Sequence, residues 1–340
     1  MKNFKIVVDA TADLDPRWLA LHGDKIVVIP VAISDDGETR YDCVGLMPGM
    51  YHSSVMERIV SEGFSTVDEF YDRLIAQRTR GKIMRSTFAQ AAPYAIFEEL
   101  FKAGQDFIYL GMTSALSGTY EHNSRMVAEF MEDYPDVRVA CIDSKCIAPG
   151  YRLLIERLIA KDLDFDQTLE FVKREGDSIV HLFTIDDFGQ AVAGGRISST
   201  EAIFGALVHV KPYMRFDYRM PHVGSGEDSK KKLFTSSKVR GTKKLNQQFI
   251  EEIKRRIATE EQRAEDPTKN IIIVSHAQAP ERVDNFCEQL RKELPTGVEI
   301  RGGRVGPAVG SHVGETTMAI FFTAREPSTV ANPTWQMYGR

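Results

Sequence analysis

The sequence predicts a two-domain α/β protein, with a parallel-sheet α/β domain over residues 1–164 and a mixed α+β domain over residues 165–330. Three observations carry this. The 340 residues exceed the usual domain size of about 100–200. The first half alternates short β-branched runs with longer amphipathic segments, the pattern of parallel strands joined by helices. After about residue 165 the order changes: strand-like runs come in succession and helical periodicity bunches in two places.

In the first half, Lys5–Val8, Lys25–Ile33, Asp106–Leu110 and Val137–Ile142 read as strands. Val67–Arg78, Ala91–Lys102 and Thr119–Glu132 read as helices, because apolar residues return at three- and four-residue intervals. Pro16 after Asp15 suits the first turn of a short helix, where a missing amide costs nothing. In the second half the strands are Ser178–Phe183, Val208–Arg215, Lys232–Ser236, Ile271–Ser275 and Thr316–Thr323, with helices at Thr242–Ile257 and Pro280–Leu294. Two stretches interrupt the alternation. Gly45–Gly63 reads as a lid or an extra helix, and Gly224–Lys232 as a solvated polar loop.

Composition narrows the function. The chain is 43% hydrophobic and 27% charged with a formal net charge of −5, so it can build cores and offers no basic surface for a phosphate backbone. Nucleic acid is not an expected partner. The N-terminus turns acidic at Asp9, and no uncharged apolar run approaches the ~20 residues of a membrane-spanning helix, which predicts a cytoplasmic protein without an integral membrane segment. Cys43, Cys141, Cys146 and Cys287 form no C-x-x-C pair and read as buried thiols rather than a zinc site or a disulfide framework. Neither a metal nor a cofactor is called for.

Ligand sites on open α/β sheets form at the carboxyl ends of strands. There the sequence places Asp9–Asp13, Arg85-Ser86-Thr87 after a short Lys82–Met84 run, Gly111–Thr119, and Asp143-Ser144. Singly, each is accounted for by helix N-capping. Gathered on one edge, they would line a mouth of hydroxyls and free helix amides suited to an anion. Phosphate is not specified, since neither G-x-x-x-x-G-K-[ST] nor G-x-G-x-x-G occurs, and no G-x-S-x-G elbow supplies a nucleophile. The second half adds Gly194–Ser198, Lys211-Pro212, Ser275-His276-Ala277 and Gly306–Gly314. Arg196 and His312 can both hydrogen-bond a carboxylate and lie among glycines that leave room for a ligand. His276, between a strand and a helix, reads as structural.

In this order the strings resemble the DegV family of bacterial fatty-acid-binding proteins, nearly end to end. The Asp9–Asp13 turn, Ser86-Thr87, Ser114–Tyr120, Asp143-Ser144, Gly194–Ser198, Lys211-Pro212 and Val309–Gly314 follow the family's pattern, and Leu116–Tyr120 and Gly194–Ser198 are its most specific parts. The resemblance implies a DegV-like fold in which a long-chain fatty acid lies in an apolar tunnel of the first domain. Its carboxylate would be held at the domain interface by Ser86, Thr87, Ser117, Gly118 and His312, with Arg196 nearby. It implies no autonomous catalysis: the acid would be presented to a separate ATP-dependent fatty acid kinase subunit. Burying a CH₂ gives ~0.8 kcal/mol, so about fifteen give about 12 kcal/mol gross, against ~0.5–1.5 kcal/mol for each neutral hydrogen bond. The tail should therefore set affinity and the polar groups direction. Two other readings remain open: a serine hydrolase built on Ser117 and His312 with Asp9 or Asp143, and a binding protein for another small anion or lipid. Departures from the family are Ala10, the reversed Ser86-Thr87 pair, Phe88-Ala89, and Glu315, which would repel a bound anion unless it points away.

Overall fold

The computed structural model describes residues 4–47, 49–193, 210–216, 234–326 and 335–338. The Gly194–Ser198 string and the Gly224–Lys232 loop lie outside these, as do the first residues of the Val208 and Lys232 strands.

The described strands are β1 (Phe4–Asp9), β2 (Ile26–Ile29), β3 (Val31–Asp35), β4 (Glu38–Asp42), β5 (Arg85–Thr87), β6 (Asp106–Gly111) and β7 (Val139–Asp143) in the first half. In the second are β8 (Ile179–Thr184), β9 (Val210–Phe216), β10 (Phe234–Arg240), β11 (Ile271–His276), β12 (Glu299–Arg304), β13 (Met318–Thr323) and β14 (Trp335–Tyr338).

The first sheet runs β14-β7-β6-β1-β2 and is parallel except for β14. Its central strands are buried along nearly their whole length, which is why they read as continuous apolar runs rather than alternations. The second sheet runs β10-β9-β8-β13-β11-β12, with only β11 and β12 parallel. Here β13 alternates. Ile320 and Phe322 join Phe249, Ile253, Phe286 and Leu290 from the Thr242–Arg256 and Pro280–Glu293 helices, while Ala319 and Phe321 face the core of the first sheet.

Between the sheets lies the Ala148–Ile159 helix, buried at every residue but Arg152, and touching both the turn after β1 and strands β8, β11 and β13. One apolar core thus runs from the first sheet across this helix to the inner face of the second.

A small antiparallel sheet, β4-β3-β5, sits at the joint. It corrects two expectations. Lys25–Ile33 is two strands, because Pro30 has no amide to donate and the chain changes sheets there. Ser86 lies within a strand, β5, opposite Ile33, rather than in a turn after Lys82–Met84. The Gly45–Gly63 interruption contains an extra helix, Ser54–Glu62, laid against Ala91–Lys102. All four cysteines are buried and free.

Candidate functional site

Three polar turns do meet at the carboxyl edge of the first sheet, and two of their carboxylates brace the turns themselves. Asp9 accepts hydrogen bonds from the Met112 amide at 2.8 Å and the Tyr109 hydroxyl at 3.0 Å. Asp143 accepts from the Ser114 hydroxyl at 2.6 Å, the Ser114 amide at 3.1 Å and the Lys145 amide at 2.7 Å. Burial raises both acids, Asp9 to about 6, although these donors pull the other way. The Gly111–Thr119 segment is thereby held from both sides. Its end delivers Ser117 and Gly118 to the start of the Thr119–Asp133 helix, where Gly118 is the N-cap and has no side chain to shield the first-turn amides. The Ser117 hydroxyl lies 2.8 Å from that of Thr119 and accepts the Thr119 amide at 3.2 Å.

From the other side, Gly306 opens the Pro307–Val313 helix, whose last turn carries His312. His312 Nε2 lies 2.5 Å from Ser86 Oγ, and the Ser86 amide donates to Ser311 Oγ at 2.9 Å. Edge strand and helix are thus joined at the very residues the sequence singles out.

Ser86, Ser117, Thr119 and His312 line the polar end of one cavity of about 850 Å³, measured out to its open mouth. The remainder is mostly apolar, with Met112, Leu116 and Ile147 from the first half and Phe183, Val309 and Phe321 from the second. It lies between the two sheets, with walls from both halves of the chain. Its axis can be read along β13. Thr317 donates to the Val313 carbonyl at 3.0 Å, beside His312, and each second residue, Ala319 then Phe321, lines the cavity about 7 Å further on. At the Phe321 end the His181 ring stands edge-on between Phe216 and Phe321, with centroids at 5.5 and 5.4 Å. His181 Nε2 accepts the Ile147 amide at 3.3 Å and Nδ1 lies 3.2 Å from the Ile179 carbonyl, so both nitrogens are turned to the backbone.

Of the residues singled out in the sequence, Ser86, Ser117 and His312 come together in this cavity, with Gly118 adjoining as the helix cap. Thr87 is exposed on the other face of β5 and lines no part of it. Arg196 lies outside the described residues. Glu315 is held by Arg78 at 2.5 Å, and Arg78 is also paired with Asp187, so its charge is met at the rim. A hydrolase triad is not assembled: Ser117 is engaged with Thr119, His312 Nε2 with Ser86, and Asp9 and Asp143 with the bracing donors. Thr119 and Ser311 lie within the strings that the sequence singles out but are not assigned to the head group there, and Gln190 is missed. Thr119 is signalled by following Ser117-Gly118, whereas Gln190 reaches the site only through tertiary contacts.

A family model described as "Uncharacterised protein, DegV family" matches residues 3–325. The chain belongs to the DegV family. The DegV domain-containing protein CPE0026 of Clostridium perfringens is 30% identical over 330 residues, covering 95% of this chain and 98% of that protein. Among solved DegV-fold structures, a stearic acid-binding protein from Eubacterium ventriosum is 19% identical and superposes with a TM-score of 0.68, covering 95% of this chain and 98% of its own. The fatty acid kinase (Fak) B3 protein of Streptococcus pneumoniae, loaded with linoleic acid, is 17% identical with a TM-score of 0.68, covering 94% and 99%. Among the described residues, no helix of this DegV protein is long and apolar enough to cross a membrane.

Proposed function

We propose that this DegV protein is a carrier that binds a long-chain fatty acid in the cavity between its sheets, carboxylate at Ser86 and acyl tail toward His181 and Phe321. The observation that carries the reading is the cavity's polarity: hydroxyls, a histidine and a helix start at one end, and aliphatic and aromatic walls beyond. When His312 donates through Nε2, the Ser86 oxygen accepts and its own proton turns outward to a carboxylate. Ser117, Thr119 and the first-turn amides behind the Gly118 cap add donors and the positive end of a helix dipole. The apolar lining suits an alkyl chain.

Relatives support the same ligand: solved DegV-fold proteins are described with stearic and linoleic acid, and one of them as a fatty acid kinase B protein. The carboxylate end would then be presented to an ATP-dependent kinase, with Arg196 completing the head-group site and the carrier performing no chemistry alone. Mass spectrometry of an organic extract, taken from protein purified without added lipid, tests this. A fatty acid at one per chain is the expected result; an extract without one, together with a melting temperature unchanged by added palmitate, overturns it.

A further inference from the structure

The head-group pair joins two segments far apart in the chain, an edge strand and the last turn of a short helix. Neither is rigid alone. β5 has three residues and, among the described residues, pairs with β3 alone, and the Pro307–Val313 helix has seven. Yet Ser86 and His312 are useful only if their separation is fixed to a few tenths of an ångström.

Gln190 fixes it from behind. This residue of the Gly189–Ala193 helix is 5% exposed, and its Nε2 donates to two backbone carbonyls. One belongs to Ser311, at 2.6 Å, the residue before His312; the other to Met84, two residues before Ser86. Two carbonyl acceptors can be met only by the NH₂ end of the amide, so its orientation is determined by its partners. Ser311 closes the loop on the near side, its hydroxyl accepting the Ser86 amide at 2.9 Å and donating to the Ala308 carbonyl at 2.8 Å. The Ser86–His312 contact therefore sits within a ring of hydrogen bonds that runs from Met84 through Gln190 and Ser311 back to Ser86.

The surroundings are built to hold Gln190 there. Gly314 adopts a φ of +77°, and a Cβ at that position would come within 3.2 Å of the Gln190 Cβ, so glycine serves both the backbone and the fit. Thr316 Oγ1 accepts the amides of Asp186 and Asp187 at 3.1 and 3.0 Å, and Asp187 caps the Gly189 amide at 2.8 Å.

We infer that Gln190 is a positioning residue for carboxylate recognition, setting the Ser86–His312 geometry that tells an acid from a neutral lipid of the same length. The inference rests on the fatty-acid reading above, and the test separates the two. Palmitic acid and hexadecanol share a tail and differ in the head. Gln190→Met keeps the side-chain length and removes both donors. The variant is expected to lose about tenfold in affinity for palmitate, the equivalent of a hydrogen bond or two, and little for hexadecanol. Gln77→Met, the same exchange at another buried glutamine, whose Nε2 donates to Asp35 at 2.5 Å and to neither Met84 nor Ser311, serves as the matched control and should keep the acid preference. An unchanged acid-to-alcohol ratio in a folded Gln190→Met protein overturns the inference alone. A wild-type protein that shows no preference for the acid overturns the carboxylate reading and this with it. If Gln190→Met does not fold, the wild type decides: its Gln190 side-chain amide resonances should move on adding palmitate but not hexadecanol, and stationary resonances refute the role.

Discussion

Asp13 is the residue whose chemistry is least comfortable. It sits at a left-handed φ of 49° with both carboxylate oxygens buried. A Cβ on Gly306 would fall 2.2 Å from one of them and 3.6 Å from Asp42, so the two acids share one glycine-sized gap at the start of the helix that carries His312. Burial, reinforced by the Asp42 charge, raises Asp13 well above the usual carboxylate range despite the nearby Gly306 amide and Arg152, and burial alone lifts Asp42 to about 7. Since both folded-state values exceed the unfolded one near 3.8, the folded protein binds more protons above that pH. Their contribution to stability is whole below pH ~4 and is lost as pH rises through the folded values. Asparagine tolerates the left-handed region and carries no charge. Asp13→Asn should therefore raise the melting temperature at pH 8 by a few degrees and change it little at pH 4, as thermal melts across that range would show. A wild-type profile flat from pH 4 to 8 would refute the assignment.

At the scale of elements, close packing under the cavity depends on one small residue. Gly150, in the first turn of the Ala148–Ile159 helix, faces the second sheet so closely that a Cβ would lie 2.4 Å from His181 Nε2 and 2.8 Å from Phe321. Gly150→Ala must drive His181 or the helix aside, and overpacking of this kind costs about 1–3 kcal/mol. A lower melting temperature together with weakened palmitate binding is expected, because His181 and Phe321 also line the cavity. Elements of this first core were plain in the sequence: Ala91–Lys102 matches its predicted bounds, and Thr119–Asp133 extends the predicted helix by one residue. Their periodicity or strand-end position carries the information locally. What was not legible depends on partners. Arg85–Thr87 is a strand only because Ile33 pairs with Ser86, and the glycines of Gly306–Gly314 hide a helix because Gly310 must pass the Tyr71 hydroxyl, 2.5 Å from where its Cβ would be. For the candidate site the division is the same: the strings that hold Ser86, Ser117 and His312 stood out locally and the resemblance to the DegV family assigned those residues to the head group, whereas Gln190 looks like any helical glutamine until Met84 and Ser311 fold over it.

For the molecule as a whole, the question is why two sheets with a cavity between them behave as one body. Arg157 gives an answer. It is fully buried on the helix between the sheets, 2.8 Å from Glu175 and 3.3 Å from Asp266, and it also donates to the Thr268 and Thr323 hydroxyls at 3.2 and 3.3 Å. Glu175 ends the Phe165–Glu175 helix and Thr323 ends β13, so a single guanidinium ties the helical layer to the second sheet. Though burial opposes it, the hydrogen bonds from Thr268 and Lys161 and the Arg157 charge bring Asp266 down to about 2. Its contribution is present above pH ~4 and lost as pH falls toward 2, the reverse of Asp13. Breaking a buried ion pair by removing one partner costs about 3–5 kcal/mol and an exposed pair at most about 1; here the cost falls between, because Glu175 keeps Arg174 at 2.9 Å and Asp266 keeps Lys161 at 3.1 Å. Arg157→Leu leaves Glu175 and Asp266 buried without their shared cation, and the loss should fall on the connection between the sheets rather than on either core. Calorimetry of the wild type should give one transition; the variant should give a lower, broadened or split one, with palmitate restoring part of the difference by bridging both walls of the cavity. A variant that melts in one sharp transition within a degree of the wild type would mean that the shared apolar core, and not the buried arginine, holds the sheets together.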